Sequence, residues 1–294
     1  MSNNLELFVK KLKWRLIMKN LFKISCIVMT VILMGGLITA CGSKGIKIGV
    51  VTGTTYGEKA KEYKKITEVK SYKDDNLNLQ ELANNRIDGV ITDKLVALYG
   101  IKQANYKGLK LAGDLIYTET IAVAVSKKDD SLRQAINKAI GTIISDGTYS
   151  KISTKYFGKN ILEGIKYEKT MPKDEPAKDS SLARVKKAGK ITFALSGGYP
   201  PFNYFSPDDK LVGFDIEIGK EVAKILGVKY EPITTDWSGI LEGLRSGRYD
   251  AIFGSMAVTP DRLKVVDFTD PYYYSGAQLI VPKDSKIKSI NDLK

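Results

Sequence analysis

The sequence of 294 residues has no histidine. Without imidazole there is no Ser-His-Asp or Cys-His nucleophile pair and no zinc site with a histidine ligand. Two cysteines, Cys26 and Cys41, are too few for a thiolate cage around zinc or an iron–sulfur cluster. Neither a metal nor a cofactor is expected. The uncharged stretch 24–40 falls short of the ~20 apolar residues that cross a bilayer core, and no comparable run follows Cys41. A phosphate loop ending in Gly-Lys-Ser/Thr is missing as well. What is present has globular proportions. Hydrophobic residues at 43% and charged residues at 27% exclude global disorder, and the length fits two lobes.

Acids are the scarcer charge, 33 against 46 bases, for a formal +13. Residues 1–41 hold six bases and one acid, so their removal leaves 40 against 32, or +8. The remaining lysines are spread among acids without clustered aromatics. This reads as a solvated basic surface, and no nucleic-acid partner is expected. Residues 1–23 are basic and 24–40 apolar, the layout of a secretory signal, and Met18 begins a more typical signal by itself. Leu37-Ile38-Thr39-Ala40-Cys41 resembles the lipobox of bacterial lipoproteins. That resemblance implies cleavage after Ala40 and a diacylglycerol on the Cys41 sulfur, two acyl chains that suffice for stable anchoring. The expectation is a lipid anchor at Cys41, with the chain held on the extracytoplasmic face of the cell membrane. An uncleaved helix with an incidental cysteine is the alternative.

Strand and helix patterns alternate from Ile46 onward. Strands are predicted at Ile46–Val51, Ile66–Tyr72 and Asp88–Thr92, and helices from about Tyr56, at Leu77–Asn84 and at Asp93–Gly100. An extended segment Glu119–Ser126 precedes helices at Asp129–Asp146 and Tyr149–Phe157. Residues 159–179 are rich in charge, with Pro172 and Pro176, and read as a solvated linker. The pattern then restarts, with helices at Ser180–Ala188, Phe214–Leu226, Ser238–Leu244 and Thr259–Val266. Its strands are Ile191–Leu195, Lys229–Thr234, Asp250–Gly254 and a long run Tyr272–Pro282. Such alternation predicts parallel α/β layers. The two halves do not match segment by segment, so no internal repeat is expected.

Four features carry chemistry. In Thr259-Pro260-Asp261-Arg262, Thr is a good N-cap and Pro suits the first helical position, which puts Arg262 where the helix dipole repels a cation. A guanidinium there suits an anion, or it pairs with a nearby acid on the surface. Thr52-Gly53-Thr54-Thr55 offers outward N–H groups after a strand, or is a plain capped turn. Asp93 at a strand's carboxyl end suits an ammonium, or is simply an N-cap. Tyr199, Phe202 and Trp237 suit stacking on a ligand, or core packing.

Taken together and in order, these stretches resemble the amino-acid solute-binding proteins of ABC importers. The matching segments are Tyr199–Phe202, Gly213–Ile216, Trp237–Leu241, Leu244–Ala251, Met256–Lys264, Asp267–Tyr273, Thr52–Thr55 and Asp146–Tyr156. The resemblance implies a two-lobe, type II periplasmic-binding-protein-like α/β fold. Lobe A is expected at 44–116 plus 277–294 and lobe B at 122–270, with hinge crossings at 117–121 and 272–276. It also implies that Arg262 binds the ligand's α-carboxylate together with the N–H groups of Ala257 and Thr55. Asp93 takes the α-ammonium, helped by the Ser255 carbonyl, and Tyr199 and Trp237 sandwich the side chain. The implied partners are a free amino acid, an ABC permease with its ATPase, and the membrane through the lipid anchor. The protein is expected to be a monomer and not an enzyme.

Two features depart from the family pattern. The family order begins with the segment found here at Ser180–Lys294 and continues with that at Gly45–Gly158. Read in that order the junction becomes Ile290-Asn291-Asp292-Leu293-Lys294-Gly45-Ile46-Lys47, so the chain reads as circularly permuted, with a fragment of a tandem array as the alternative. Ser196 stands where several relatives with basic or amide ligands carry Asp, which favours neutral polar amino acids or cystine. Two other functions remain open on the same fold: a cyclohexadienyl dehydratase-like enzyme, which needs a cleft acid of perturbed pKa, and a sensor module.

Overall fold

Short apolar runs become strands here and the amphipathic stretches between them become helices. The computed structural model describes residues 45–102, 106–165 and 176–294. The signal segment 1–41, including Cys41, and the middle of the expected linker lie outside the described residues. The first half gives β1 (Ile46–Val51), α1 (Thr55–Ala60), β2 (Ile66–Tyr72), α2 (Asp75–Ala83), β3 (Gly89–Asp93) and α3 (Lys94–Lys102). It continues with the long β4 (Leu109–Ser126), α4 (Asp130–Ser145) and α5 (Thr148–Phe157). The second half gives α6 (Ser181–Ala188), β5 (Lys190–Leu195), β6 (Gly198–Tyr199), β7 (Asn203–Phe205), β8 (Leu211–Val212) and α7 (Phe214–Leu226). β9 (Lys229–Thr234), α8 (Ile240–Arg245), β10 (Ala251–Ala257), α9 (Pro260–Leu263), β11 (Val266–Phe268) and β12 (Tyr273–Pro282) follow.

The main sheet has the order β2-β1-β3-β12-β4-β10-β5-β9, with β11 also paired to β4. β1 is parallel to β2 and β3, and β5 is parallel to β10 and β9, as the alternation predicts. The centre is different. β12 and β4 are antiparallel to each other and to their outer neighbours β3 and β10. Their pairing includes Tyr273 opposite Ile121 and Gly276 opposite Thr118, so the two segments expected to cross between lobes run side by side. The small β6-β7-β8 sheet was not foreseen in the sequence, where it reads as a loop.

The period of two along the central strands divides the core. Ile121, Val123 and Val125 of β4 pack with Leu132, Ile136 and Ile140 of α4. The intervening Ala122 and Ala124 pack on the other face with Ile240 and Leu244 of α8. Ala277, Leu279 and Val281 of β12 join Ile48 and Val50 of β1, and Ile280 faces Leu79 and Leu82 of α2. Each half of the sheet therefore has apolar cover on both faces, and both halves belong to one compact unit, Gly45–Lys294.

Two expectations need correction, on one helix and on the internal repeat, while the described ends of the expected linker 159–179 are tied to the fold. Ile161 is buried with its N–H on the Ser153 hydroxyl, and Asp179 accepts from Ser131 and Ser181. The helix expected at Thr259–Val266 stops at Leu263, because Val266 is taken up as β11 opposite Ser126. An internal repeat is present: β2-β1-β3-β12 and β9-β5-β10-β4 have the same arrangement of three parallel strands and one antiparallel strand. At the far edge Leu293 is buried, and its carbonyl accepts from Lys65 N at 3.1 Å, next to the Ile46–Ile66 pair.

Candidate binding cavity

The carboxyl ends of the parallel strands from both halves converge on one cavity, the usual location for a ligand in open α/β sheets. It encloses about 490 Å³ of empty space, part of it open to solvent. One wall carries Val51, Thr55, Tyr56 and Asp75; the other carries Ser196, Tyr199, Trp237, Ser255, Ala257 and Arg262, and Glu119 of β4 joins them.

Arg262 follows from its local sequence. The Thr259 hydroxyl accepts from Arg262 N at 3.2 Å, closing the predicted cap with Pro260 at the helix start. The side chain is 9% exposed. Nη1 donates to the Ala257 carbonyl at 2.8 Å, Nη2 reaches the Gly53 carbonyl at 3.4 Å, and the guanidinium lies 5.8 Å from the Trp237 ring centroid. Among the described residues no carboxylate lies within ion-pair distance of it. Burial pulls its pKa down, partly opposed by the field of Glu119. A buried cation held by neutral carbonyls and an aromatic face is suited to receive an anion. Gly53 faces it with φ of 76°, a left-handed conformation that glycine adopts without strain and that turns the chain from β1 into α1.

Ser255 also has a left-handed backbone, with φ of 60°, which for a residue with a Cβ needs support from its surroundings. Asp215 of α7 supplies it. The Asp215 carboxylate accepts from Ser255 Oγ and Tyr272 OH, each at 2.9 Å, and from Asn203 Nδ2 at 2.7 Å. Tyr272 OH in turn accepts from Ser255 N at 2.9 Å, and Asn203 Oδ1 accepts from Ser196 Oγ at 3.1 Å and from Gly197 N at 3.0 Å. Two residues of the cavity wall, Ser196 and Ser255, thus hang on one buried network. Burial pushes the Asp215 carboxyl up to about 7. The motif Gly213–Ile216 carries the resemblance, and its Asp acts here as a positioning residue.

The structure brings six of the expected ligand-binding residues, Arg262, Thr55, Ser255, Ala257, Tyr199 and Trp237, to the cavity wall. The Thr55 hydroxyl is turned toward Glu119, to which it donates, and Tyr56 OH donates to the other Glu119 oxygen at 2.9 Å. Asp93 is the exception. It is fully buried and does not line the cavity. Its Oδ1 accepts from Leu95 N and Val96 N at the start of α3, while Oδ2 makes no well-formed hydrogen bond and the Ser275 side chain lies close to the carboxyl. Burial pushes its carboxyl up to about 7. Both sequence readings of Asp93 therefore retain a basis, an engaged N-cap oxygen and a second oxygen without a well-formed hydrogen bond. The carboxyl that does reach the wall is Asp75, also pushed up to about 7 by burial. Sequence reading missed it because an Asp before an amphipathic helix looks like an ordinary cap, the role that Asp74 in fact fills.

A family model described as bacterial extracellular solute-binding proteins, family 3, matches residues 6–159 and 191–292. The chain is 38% identical over 120 residues to the L-cystine-binding protein of Escherichia coli strain K12, which is 40% of this chain and 45% of that protein. It is 42% identical over 121 residues to the L-cystine-binding protein of Bacillus subtilis strain 168, again 40% of this chain and 45% of that one. The match thus spans less than half the length of these curated relatives. Among solved structures, an ancestral amino-acid-binding protein described as a precursor of cyclohexadienyl dehydratase is 40% identical, over 32% of this chain and 41% of that one, with a TM-score of 0.31.

Proposed function

The chain belongs to the bacterial extracellular solute-binding proteins, family 3, and from that premise we propose that it captures an amino acid between its two lobes and delivers it to an ABC importer. The observation that carries this reading is Arg262, a buried guanidinium on the cavity wall that hydrogen-bonds to neutral carbonyls, lies over an aromatic ring and, among the described residues, has no carboxylate within ion-pair distance. An α-carboxylate completes its coordination. Arg262 and Ala257 stand in one lobe and Gly53 and Thr55 in the other, so the ligand links both halves across the β4–β12 pair, a hinge closure. Asp93 takes the ammonium in the ligand-bound state through its second oxygen, which requires the wall around Tyr56 and Tyr199 to give.

The chain works as a monomer outside the cytoplasm, anchored through lipid on Cys41. It is a circular permutant: the contact of Leu293 with Lys65, beside the start of β1, supports the junction that the reversed order needs. A thermal-shift screen against the twenty amino acids and cystine tests the binding reading. A ligand of the folded state raises the melting temperature by mass action, and a screen with no shift refutes the reading. The raised pKa of Asp75 is the feature that the dehydratase alternative asks for. Turnover of prephenate or arogenate would establish that second reading.

A further inference from the structure

Building on the amino-acid-binding reading, we infer that Asp75 is a second cation-recognising group of the cavity, selecting an amino acid whose side chain carries a positively charged nitrogen. Three carboxylates line the cavity, Asp74, Asp75 and Glu119, against two cations, Lys73 and Arg262. Most of these charges are already engaged. Glu119 has a hydroxyl on each oxygen. Asp74 caps α2 through Leu77 N at 2.9 Å. Lys73 is exposed and pairs with Asp236 at 3.4 Å. Asp75 stands apart: it is 2% exposed, its Oδ1 makes no well-formed hydrogen bond, and among the described residues no cation pairs with it. Asn78 and Thr92 beside it are fully buried, and as neutral hydrogen-bonding groups they favour its charged form only in part, against the cost of burial. Neither carries positive charge. A carboxylate buried without a cation is costly, so this part of the wall lacks a positive partner.

On the proposed reading the ligand's carboxylate goes to Arg262 and its α-ammonium to Asp93, which leaves Asp75 for a further positive group. The position of Asp75 agrees. Its neighbour Asp74 abuts Gly198, where an added Cβ would stand 2.8 Å from the Asp74 Cβ. Asp75 itself lines the cavity within electrostatic reach of Tyr199, next to Gly198, whereas Arg262 lies at Trp237 and Gly53.

Calorimetric titration of the purified protein with arginine, lysine, ornithine, cystine, citrulline and glutamine tests this. Citrulline has nearly the shape of arginine without its charge. At least one of the four ligands with a second cationic nitrogen should bind about tenfold or more tighter than citrulline and glutamine, since hydrogen bonds to charged groups are the stronger kind. Asp75→Asn should erase most of that preference and leave citrulline within about threefold, because an amide still offers a neutral polar contact. Citrulline or glutamine binding as tightly as all four overturns the inference but leaves the amino-acid reading standing. Equal loss for every ligand in Asp75→Asn also overturns it, assigning Asp75 to the α-ammonium. If that variant does not fold by circular dichroism, the ligand ranking of the parent protein decides. Absence of binding by any amino acid overturns the amino-acid reading and the inference with it.

Discussion

Replacing Arg262 by alanine should separate binding from stability. The buried guanidinium makes one short contact, to Ala257 O at 2.8 Å, and a longer one, to Gly53 O at 3.4 Å. Without a counter-ion it carries most of its desolvation cost uncompensated, which is why burial pulls its pKa down. Its stacking near Trp237 returns only about 0.5–2 kcal/mol. Removing it from the ligand-free protein should therefore change unfolding free energy by no more than about 1 kcal/mol in either direction. In the complex the balance reverses. An α-carboxylate in the cavity loses the buried cation that faces it, a loss of about 2–5 kcal/mol by analogy with desolvated interfacial pairs. At 1.36 kcal/mol per factor of ten this weakens affinity about 30-fold to several thousand-fold. Arg262→Lys should also bind poorly, since an ammonium cannot contact carboxylate and carbonyls in one plane. Chemical denaturation without ligand, paired with calorimetric titration, reads both quantities. Unchanged affinity together with a stability loss above about 2 kcal/mol would make Arg262 a structural cap and remove the carboxylate site from this cavity.

Stability should fall as pH rises. Asp75, Asp93 and Asp215 have carboxyls raised to about 7 from an unfolded value near 3.8, so their contribution is complete below pH ~4 and is lost as pH climbs through 7. A melting temperature at pH 8 equal to or above that at pH 5 would refute this. Asp215→Asn places an amide donor among Asn203, Ser255 and Tyr272 and should cost about 1–3 kcal/mol in chemical denaturation, with ligand affinity falling as Ser255 loosens. Cys41→Ala should release the protein from the membrane fraction or block its processing; unchanged soluble protein beginning at Met1 or Met18 would exclude the lipid anchor. A chain running Ser180–Lys294 then Gly45–Gly158 should fold and bind the same ligand, because moving a connection changes loop-closure entropy only slowly with length. Loss of binding in a folded protein of that order would count against the permutation.

Much of the fold was legible because short apolar runs and helix stops are local. The strand Lys229–Thr234 and the helix Phe214–Leu226 fall where periodicity and Gly227 put them. The Thr259-Pro260 cap was readable for the same reason, and it delivers Arg262 to the cavity. What the sequence hid was non-local. The strand Glu119–Ser126 begins ten residues earlier, at Leu109, because its outer part is fixed by pairing with Ile280 to Pro282, far away along the chain. Glu119 and Asp75 become wall residues only when the halves meet, and neither lies in a motif that announces binding. Asp215 and Asp250 lie inside the segments that carry the family resemblance and yet support the backbone. Asp250 accepts from Thr192 N at 2.9 Å, from Thr192 Oγ1 at 2.6 Å and from Arg184 at 2.8 Å.

Asp250 also reveals the repeat that sequence comparison of the halves missed. Leu82-Ala83-Asn84-Asn85-Arg86-Ile87-Asp88-Gly89 aligns with Leu244-Arg245-Ser246-Gly247-Arg248-Tyr249-Asp250-Ala251. Only Leu, Arg and Asp are shared, too few to stand out. The backbone agrees at each step. Asn85 and Gly247 both have positive φ, at 56° and 74°, and close the ends of α2 and α8. Arg86 N and Arg248 N both reach back five residues, to Glu81 O and Gly243 O. Asp88 and Asp250 each clamp the neighbouring parallel strand, through Lys47 N at 2.8 Å and Thr192 N at 2.9 Å. Carried five residues further, the same alignment sets Asp93, the last residue of β3, against Ser255, two residues before the end of β10. One position thus holds a buried carboxylate and the other a strained hydroxyl residue braced by Asp215. A duplicated scaffold with unlike residues at its two strand ends offers an asymmetric cleft to a ligand whose own two ends differ in charge.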